Sequence, residues 1–314
     1  MPRAIWPVML ILSMIWGGSY YFIKVLLGDF GPWTIVFLRC ALGLVVIAIY
    51  MLAARQPLRF KQAPWGAVAV MALVNTCIPW AIIGFSETRI ASSMASVLNA
   101  TTPLWSLLLG IAFFGAAARR LQWLGMGVAM IGLAVLVGLD SSSVQASDAR
   151  GFAGMIAASV FYGLGSQLSN RLLRTMSTYQ VTFGTLFFSM LGSGVMAFSS
   201  EKIPYSQLLV PSNLFVLAGL GILGSGVAYL LFYWIVHEGG PTRATMVTYL
   251  LPVFSLVWGF ALLGESIHWS MIAGLALILA GVFLAGRKKA ASRQPKSFSL
   301  PDDGRAASSS EAAT

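Results

Sequence analysis

Charged residues are scarce in this chain of 314 residues. Asp, Glu, Lys and Arg make up 10% of the composition, whereas hydrophobic residues make up 58%. The mean hydropathy is +0.81. A soluble domain needs far more polar surface than this composition supplies, so a soluble protein is excluded. The composition predicts a polytopic membrane protein.

The residues that commonly carry catalysis or bind metals are also few. Cys40 and Cys77 lie singly in apolar runs, which favours buried, unreactive thiols over disulfides or metal ligands. The two histidines, His237 and His268, fall at opposite ends of the membrane in the topology that these runs imply. No Ser, His and Asp set and no phosphate-binding glycine loop occurs. We therefore expect no enzyme activity, no catalytic residues, no metal and no other cofactor.

Acidic residues do not occur near the middle of any apolar run. A carrier driven by protons or sodium often has a carboxylate there, because ion binding must change a charge at mid-membrane. This lack disfavours coupling through a deep acid and favours passive exchange, or export driven by the substrate gradient. Coupling through Glu87, Glu265 or a tyrosine network stays open.

Apolar runs near the roughly 20 residues that cross a bilayer recur ten times. With no alternating barrel pattern, each run is expected to form a helix, since lipid offers the backbone no other hydrogen-bond partner. Five runs precede a polar segment at 140–150 and five follow it. The runs cover residues 5–26, 33–53, 65–86, 91–114, 122–138, 151–170, 180–199, 213–236, 243–263 and 270–286.

An internal duplication relates the two groups of five runs. Eight residues keep their type when 149 is added to their numbers: Pro103, Ser106, Leu107, Gly110, Ala112, Gly115, Gly125 and Gly132 become Pro252, Ser255, Leu256, Gly259, Ala261, Gly264, Gly274 and Gly281. Chance explains single glycines but not this set. The pattern predicts a first five-helix repeat at 5–139, a periplasmic linker at 140–150 and a second repeat at 151–286. The polar segment 287–314 is expected to be a disordered cytoplasmic tail.

Basic residues predict the orientation. If the N-terminus lies in the cytoplasm, Lys and Arg concentrate in the cytoplasmic loops, and most acidic residues fall on the outer side. We expect a multi-pass protein of the bacterial inner membrane with both termini in the cytoplasm. Because five spans is an odd number, the second repeat must be inverted, a recurring plan of secondary transporters. The net charge of +10 then reflects orientation and not nucleic-acid binding. The expected partners are the bilayer and a small solute, with a monomer as the simplest state.

Polar and aromatic side chains cluster at mid-depth in particular runs. Together they outline a path for a small solute with an apolar part, although any one of them could instead bridge helices. Three prolines within runs remove backbone hydrogen bonds, so each predicts a kink that is either a gate or a static feature of packing. The candidate path is Trp16, Tyr20, Asn75, Trp80, Asn99, Thr102, Pro103, Tyr162, Gln167, Tyr229, Tyr233, Tyr249 and Pro252.

Three charged residues near the outer ends of runs are candidates for a gate or charge pair: Lys24, Arg39 and Glu265. Arg39 is the most costly of them within hydrocarbon. It could extend to the interface, pair with Glu265, or offer its charge to a substrate carboxylate.

These features resemble the EamA-type carriers of the drug/metabolite transporter superfamily, over nearly the whole of residues 5–286. The resemblance rests on Gly264-Glu265 followed by Gly274 and Ala280-Gly281-Val282, on Trp16-Gly17-Gly18 with Lys24, on Leu38-Arg39, and on Leu251-Pro252-Val253. It implies a ten-helix carrier with both termini in the cytoplasm that works by alternating access and often exports amino acids or related metabolites. Two departures are evident: Gly115-Ala116 replaces the family's frequent Gly-Glu, and Leu186-Phe187 stands where Arg39 would have its counterpart.

The sequence therefore predicts a secondary transporter that exports small amphipathic metabolites. An importer or a nucleotide-sugar-like antiporter is the alternative within transport. Outside transport, the alternatives are a membrane-embedded enzyme and a structural subunit. An enzyme would gather His, Asp, Glu or Cys at one depth, and a structural subunit would not need two pseudo-symmetric halves.

Overall fold

A computed structural model of the chain describes residues 4–55, 63–115, 117, 119–138, 149–172, 176–239 and 246–286. Within these ranges the regular secondary structure is helical, without strands. The prediction of an all-helical protein is confirmed for this part of the chain. The predicted tail at 287–314 and residues 140–148 of the predicted linker lie outside the described residues.

The helices follow the predicted runs. In chain order they are α1 (Ile5–Leu26), α2 (Pro32–Ala53), α3 (Trp65–Ala72), α4 (Ile78–Glu87), α5 (Ser92–Asn99), α6 (Thr102–Phe114), α7 (Arg120–Gly138), α8 (Ala149–Leu172), α9 (Thr178–Ser200), α10 (Tyr205–Leu208), α11 (Pro211–Leu217), α12 (Ala228–Gly239), α13 (Met246–Leu263) and α14 (Trp269–Gly286).

Six helical segments are long and apolar enough to cross a membrane: Ile5–Leu26, Pro32–Ala53, Trp65–Glu87, Ser92–Phe114, Thr178–Ser200 and Pro211–Phe232. Shorter apolar helices cover Arg120–Leu136, Val247–Leu263 and Trp269–Ala285. Large apolar side chains face outward, among them Phe113, Phe215 and Trp269, the last of which is 84% exposed. Such a surface suits lipid, so the described helices form a polytopic membrane protein.

Two of the predicted helical runs contain π-helical segments. The first segment, Leu73–Cys77, lies between α3 and α4 and ends two residues before Pro79. A wider turn accommodates the proline, whose ring would otherwise clash with the preceding turn. The second segment, Ala218–Val227, joins α11 to α12.

A third run, at 91–114, breaks into two helices. The predicted kink at Pro103 is confirmed, because α5 ends at Asn99 and α6 begins at Thr102. Pro252, the repeat equivalent of Pro103, instead lies inside the continuous helix α13. The two prolines that the duplication pairs therefore have different local structures.

Glycines bring α7 and α14 into close antiparallel contact. A Cβ on Gly125 would lie 2.5 Å from the carbonyl oxygen of Gly281, and a Cβ on Gly274 would lie 2.9 Å from that of Gly132. Because only glycine permits such an approach, these residues fix how the two helices cross. They form two of the four glycine pairs that the duplication relates.

Two carboxylates cap helices to which they are not connected. Glu201 accepts hydrogen bonds from the backbone N–H groups of Trp33 (2.9 Å) and Thr34 (2.8 Å) and from the Thr34 hydroxyl (2.7 Å), at the start of α2. Glu265 accepts from the N–H groups of Ser92 (2.7 Å) and Ser93 (3.0 Å) and from the Ser93 hydroxyl (2.5 Å), at the start of α5. Each satisfies N–H groups that a helix leaves free. We call this part of the bundle, which contains Glu87, Glu201 and Glu265, the carboxylate end.

Candidate functional site

A cavity of about 460 Å³ lies inside the bundle. Its volume is within the range of small-molecule sites. Most of the predicted path residues line it: Trp16, Tyr20, Asn75, Trp80, Asn99, Thr102, Pro103, Tyr162, Tyr229, Tyr249 and Pro252. Arg39, predicted near the outer side, lines the same cavity. The fold thus brings together residues that are up to 236 positions apart, from Trp16 to Pro252.

Two predicted path residues are not among those that line the cavity. Gln167 joins α8 to α6, since its Nε2 donates to the backbone oxygen of Ser106 at 2.9 Å and to the Ser106 hydroxyl at 3.2 Å. Gln167 therefore acts in helix packing in this structure, which is the alternative that mid-depth polar residues allow. Tyr233 belongs to α12, and its side chain lies outside the described residues.

The irregular helical segments supply part of the cavity wall. Asn75 lies in the first π-helical segment, Gly224 lies in the second, and Thr102 follows the break between α5 and α6. Trp16 donates its indole N–H to the carbonyl of Gly224 at 3.2 Å. Departures from α-helical geometry expose backbone groups, which makes such segments common at functional sites.

Aromatic side chains form much of the remaining wall. The ring of Trp16 meets that of Tyr229 edge to face, with centroids 6.0 Å apart, and lies 5.6 Å from the ring of Phe232. Phe232 was not among the predicted path residues. Its place in the run at 213–236 does not distinguish it from a lipid-facing phenylalanine, so no sequence signal singles it out.

Arg39 supplies the formal charge of the cavity. It is only 5% exposed. Its Nε donates to the Ser225 hydroxyl at 3.1 Å, and its guanidinium carbon lies 3.6 Å from the ring centroid of Trp80. The stacking is a cation–π contact. Ser225 was missed by the sequence analysis because its glycine-rich surroundings suggest only close helix packing.

The terminal nitrogens of Arg39 have no hydrogen-bond partner among the described residues. Within the described residues, Arg39 makes no hydrogen bond other than the one from Nε, and it makes no ion pair. The residues that line the cavity include no Asp or Glu. A guanidinium that presents free donors to an aromatic cavity is suited to bind a carboxylate or another planar anion.

The predicted ion pair between Arg39 and Glu265 is not formed. Glu265 lies at the carboxylate end, where both of its oxygens accept hydrogen bonds from the start of α5. Arg39 lies deeper, against Trp80 and Ser225. The two side chains were assigned similar depths from the sequence, but depth alone does not specify which helices are neighbours.

Lys24 and Glu265 hold the two sides of the turn between α4 and α5. The Lys24 ammonium donates to the backbone oxygens of Glu87 and of Ile90, the latter at 3.0 Å. A cation at the end of α4 also complements the helix dipole. Since Lys24 comes from α1 and Glu265 follows α13, this turn is fastened to two other helices of the bundle.

Buried side chains lie between the cavity and the carboxylate end. The wall there includes Ile23 of α1 and Ile83 of α4, and Ile83 lies one helical turn before the fully buried Glu87. In the opposite direction the wall extends to Thr248 and Tyr249, close to the first residue of α13. The cavity therefore borders buried side chains toward the carboxylate end and extends away from them.

Comparison with known proteins gives a consistent result. The model of the EamA-like transporter family matches this chain twice, over residues 4–138 and 149–287. The uncharacterized inner membrane transporter YedA of Escherichia coli strain K12 is 26% identical over 280 residues, which cover 87% of each chain. The uncharacterized transporter YvbV of Bacillus subtilis is 26% identical over 297 residues, covering 90% of this chain and 91% of the relative.

A solved crystal structure shares the fold. It superposes on this chain with a TM-score of 0.64 at 19% sequence identity, and the match covers 91% of this chain and 97% of the other. At this level of identity the similarity describes architecture alone.

Proposed function

The chain belongs to the EamA-like transporter family, and from this premise we propose that it exports small amphipathic metabolites, such as amino acids or related compounds, by alternating access. The observation that carries the proposal is the central cavity, which combines aromatic walls with the free donors of one buried arginine, Arg39. A solute with a carboxylate and an apolar part matches both features.

The proposed binding mode gives each part of the cavity a role. The terminal N–H groups of Arg39 donate hydrogen bonds to the solute carboxylate, while Trp80 and Ser225 hold the guanidinium in place. Trp16 and Tyr229 pack against the apolar part of the solute. Because the cavity wall has no acidic residue, a solute ammonium group would rely on hydroxyl and amide oxygens and on aromatic faces.

We propose ten spans arranged as two inverted repeats, at residues 5–139 and 151–286. The double match to one family model supports the duplication. The contacts of α7 with α14 support the inversion, because Gly125 meets Gly281 while Gly132 meets Gly274. An antiparallel contact that exchanges equivalent positions is expected when a two-fold axis lies in the membrane plane.

Other packing contacts support the same symmetry. A Cβ on Gly17 of α1 would meet the backbone nitrogen of Ser255 at 3.0 Å, and a Cβ on Gly163 of α8 would meet that of Ser106 at 2.7 Å. Ser106 and Ser255 are equivalent in the duplication, and α1 and α8 are the first spans of the two repeats. The first span of each repeat therefore contacts the equivalent serine of the other repeat.

We further propose that the protein lies in a bacterial inner membrane with both termini in the cytoplasm, and that the carboxylate end faces outward. The distribution of Lys and Arg in the sequence supports this orientation. The structure then corresponds to a carrier that is closed to the outside. Opening requires Lys24 and Glu265 to release the turn between α4 and α5, because both residues hold it through hydrogen bonds in the closed form.

Counterflow in proteoliposomes tests this function. Vesicles loaded with an unlabelled amino acid should accumulate the labelled compound transiently, and the Arg39→Gln variant at equal incorporation should not. The matched control, Lys202→Gln, removes an exposed charge at the carboxylate end and should behave as the parent protein. If a range of amino acids and related carboxylates gives no counterflow in the parent protein, the proposed solute class is refuted.

Direction separates export from the alternatives. Inside-out vesicles should take up the solute faster than right-side-out vesicles under an equal gradient if export is favoured. The reverse preference would support an importer. Obligatory exchange for a second, different solute would support an antiporter of the nucleotide-sugar type.

A further inference from the structure

Glu87 differs from the other acids at the carboxylate end. It is the last residue of α4 and is 0% exposed. Among the described residues, neither oxygen of its carboxyl group has a hydrogen-bond partner. Glu201 and Glu265, by contrast, each accept three hydrogen bonds from a helix start.

No charged group among the described residues donates a hydrogen bond to the Glu87 carboxyl group. Arg89, in the turn after α4, places its guanidinium over the ring of Phe85. Lys24 of α1 directs its ammonium to backbone oxygens, and Arg39 of α2 directs its guanidinium to Ser225 and Trp80. Glu265, after α13, is a second acid near Glu87. From α8, Arg150 lies at an exposed helix start. Tyr20 of α1 is buried and carries no charge at neutral pH.

A bare carboxylate in this position would be strongly unfavourable. Burial removes its hydration, and the protein supplies no hydrogen-bond donor in exchange. The neutral carboxylic acid avoids most of this cost. The closed carboxylate end is therefore compatible with Glu87 only when the side chain holds a proton.

We propose that Glu87 is a proton-binding site of the carrier, which takes up one proton from the outer solution when the carboxylate end closes and releases it when that end opens. The proposal rests on the proposed function for its orientation and its two states. In the open state water reaches the carboxyl group, and Lys24 is free to face it. The carboxylate and the outer proton combine to the acid on closure, so no other reactant is needed.

Thermodynamic linkage between proton binding and closure fixes the sign and the size of the pH effect on closure. The closed state holds a proton that the open state has lost, so lowering the outer pH favours closure and raising it favours opening. One proton changes the closed-to-open ratio by at most tenfold per pH unit. The Glu87→Gln variant, which is neutral at every pH, should not show this dependence.

Two measurements without any solute test the proposal. Infrared spectra of the reconstituted protein at neutral pH should contain the carbonyl band of a protonated carboxylic acid, and the band should vanish in Glu87→Gln but persist in Glu201→Gln. Pulsed electron paramagnetic resonance between spin labels at Thr88 and Trp269, in a background with Cys40→Ala and Cys77→Ala, should show a longer distance that gains population as the pH rises. Glu201→Gln should keep that dependence, and Glu87→Gln should lose it.

The outcomes separate this proposal from the proposed function. If the acid band is missing, or if it is unchanged in Glu87→Gln, Glu87 is not the proton site. If the band is present but the distance populations do not respond to pH, the link to closure is refuted. Both readouts apply to the protein whether or not it exchanges any tested solute.

Discussion

The carboxylate of Glu265 should set how stably the carboxylate end is closed. It accepts three hydrogen bonds from Ser92 and Ser93, both fully buried, and so joins the segment after α13 to the start of α5. In Glu265→Ala these buried donors lose their partner. A lost helix cap costs about 0.5–2 kcal/mol, and a buried unsatisfied donor costs about 1–3 kcal/mol. We therefore expect closure to weaken by about 3 kcal/mol.

That energy corresponds to a change of about two orders of magnitude in the closed-to-open ratio. Glu265→Gln keeps one carbonyl acceptor and loses the charge, so we expect a smaller change of about fivefold, or about 1 kcal/mol. The spin labels at Thr88 and Trp269 report the two populations. Glu201→Ala is the matched control, because it removes an equivalent cap from α2 without touching α5. Equal distance distributions in Glu265→Ala and the parent protein would refute the role assigned to Glu265.

Three further variants test the packing, the arginine site and the helix break. Gly125→Leu should lower the free energy of unfolding by about 3 kcal/mol in thermal or denaturant titrations. Gly127→Leu is the control and should not lower it, because Gly127 faces open space. Trp80→Ala should weaken solute binding about tenfold by removing the ring from the arginine, compared with little effect for the exposed Trp123→Ala. Pro103→Ala should slow solute exchange without lowering thermal stability, because α5 and α6 can then join into one helix. An unchanged exchange rate would show that the break has no part in transport.

The helices were predictable because a membrane leaves the backbone few alternatives. An apolar run without a barrel pattern must form a helix, and Pro103 correctly indicated where one run breaks. The duplication also singled out Gly125 and Gly281, which form the close contact between α7 and α14. These features can be predicted from one sequence because they depend on local residue type or on an internal repeat.

Which helices lie side by side was harder to predict. Arg39 and Glu265 have suitable charges, but they contact different helices, so the predicted pair does not form. The π-helical segment at Ala218–Val227 depends on tertiary packing, because its glycines make room for side chains of α2. A Cβ on Gly221 would lie 2.6 Å from the Cβ of Leu42, a contact that no local pattern reveals.

The helix caps at the carboxylate end could not be predicted from the sequence either. Glu201 binds the first turn of α2, which lies 168 residues away from it at Trp33. The similar cap at Ser92 joins residues that lie 173 positions apart. Long-range caps have no fixed sequence spacing, so they carry no motif.

Equilibrium binding of an aromatic amino acid and of its amide to the purified protein is the most direct test of the central claim, that Arg39 makes the cavity a carboxylate site. The two compounds share the ring and the amine, and only the acid has a negative charge and two acceptor oxygens for the terminal N–H groups of Arg39. Hydrogen bonds to charged groups contribute about 1.5–3 kcal/mol, so the parent protein should bind the acid at least about tenfold more tightly. Arg39→Gln, with its fold checked by thermal unfolding, should lose that preference. Equal binding of acid and amide by the parent protein, or the same preference in Arg39→Gln, would contradict the account.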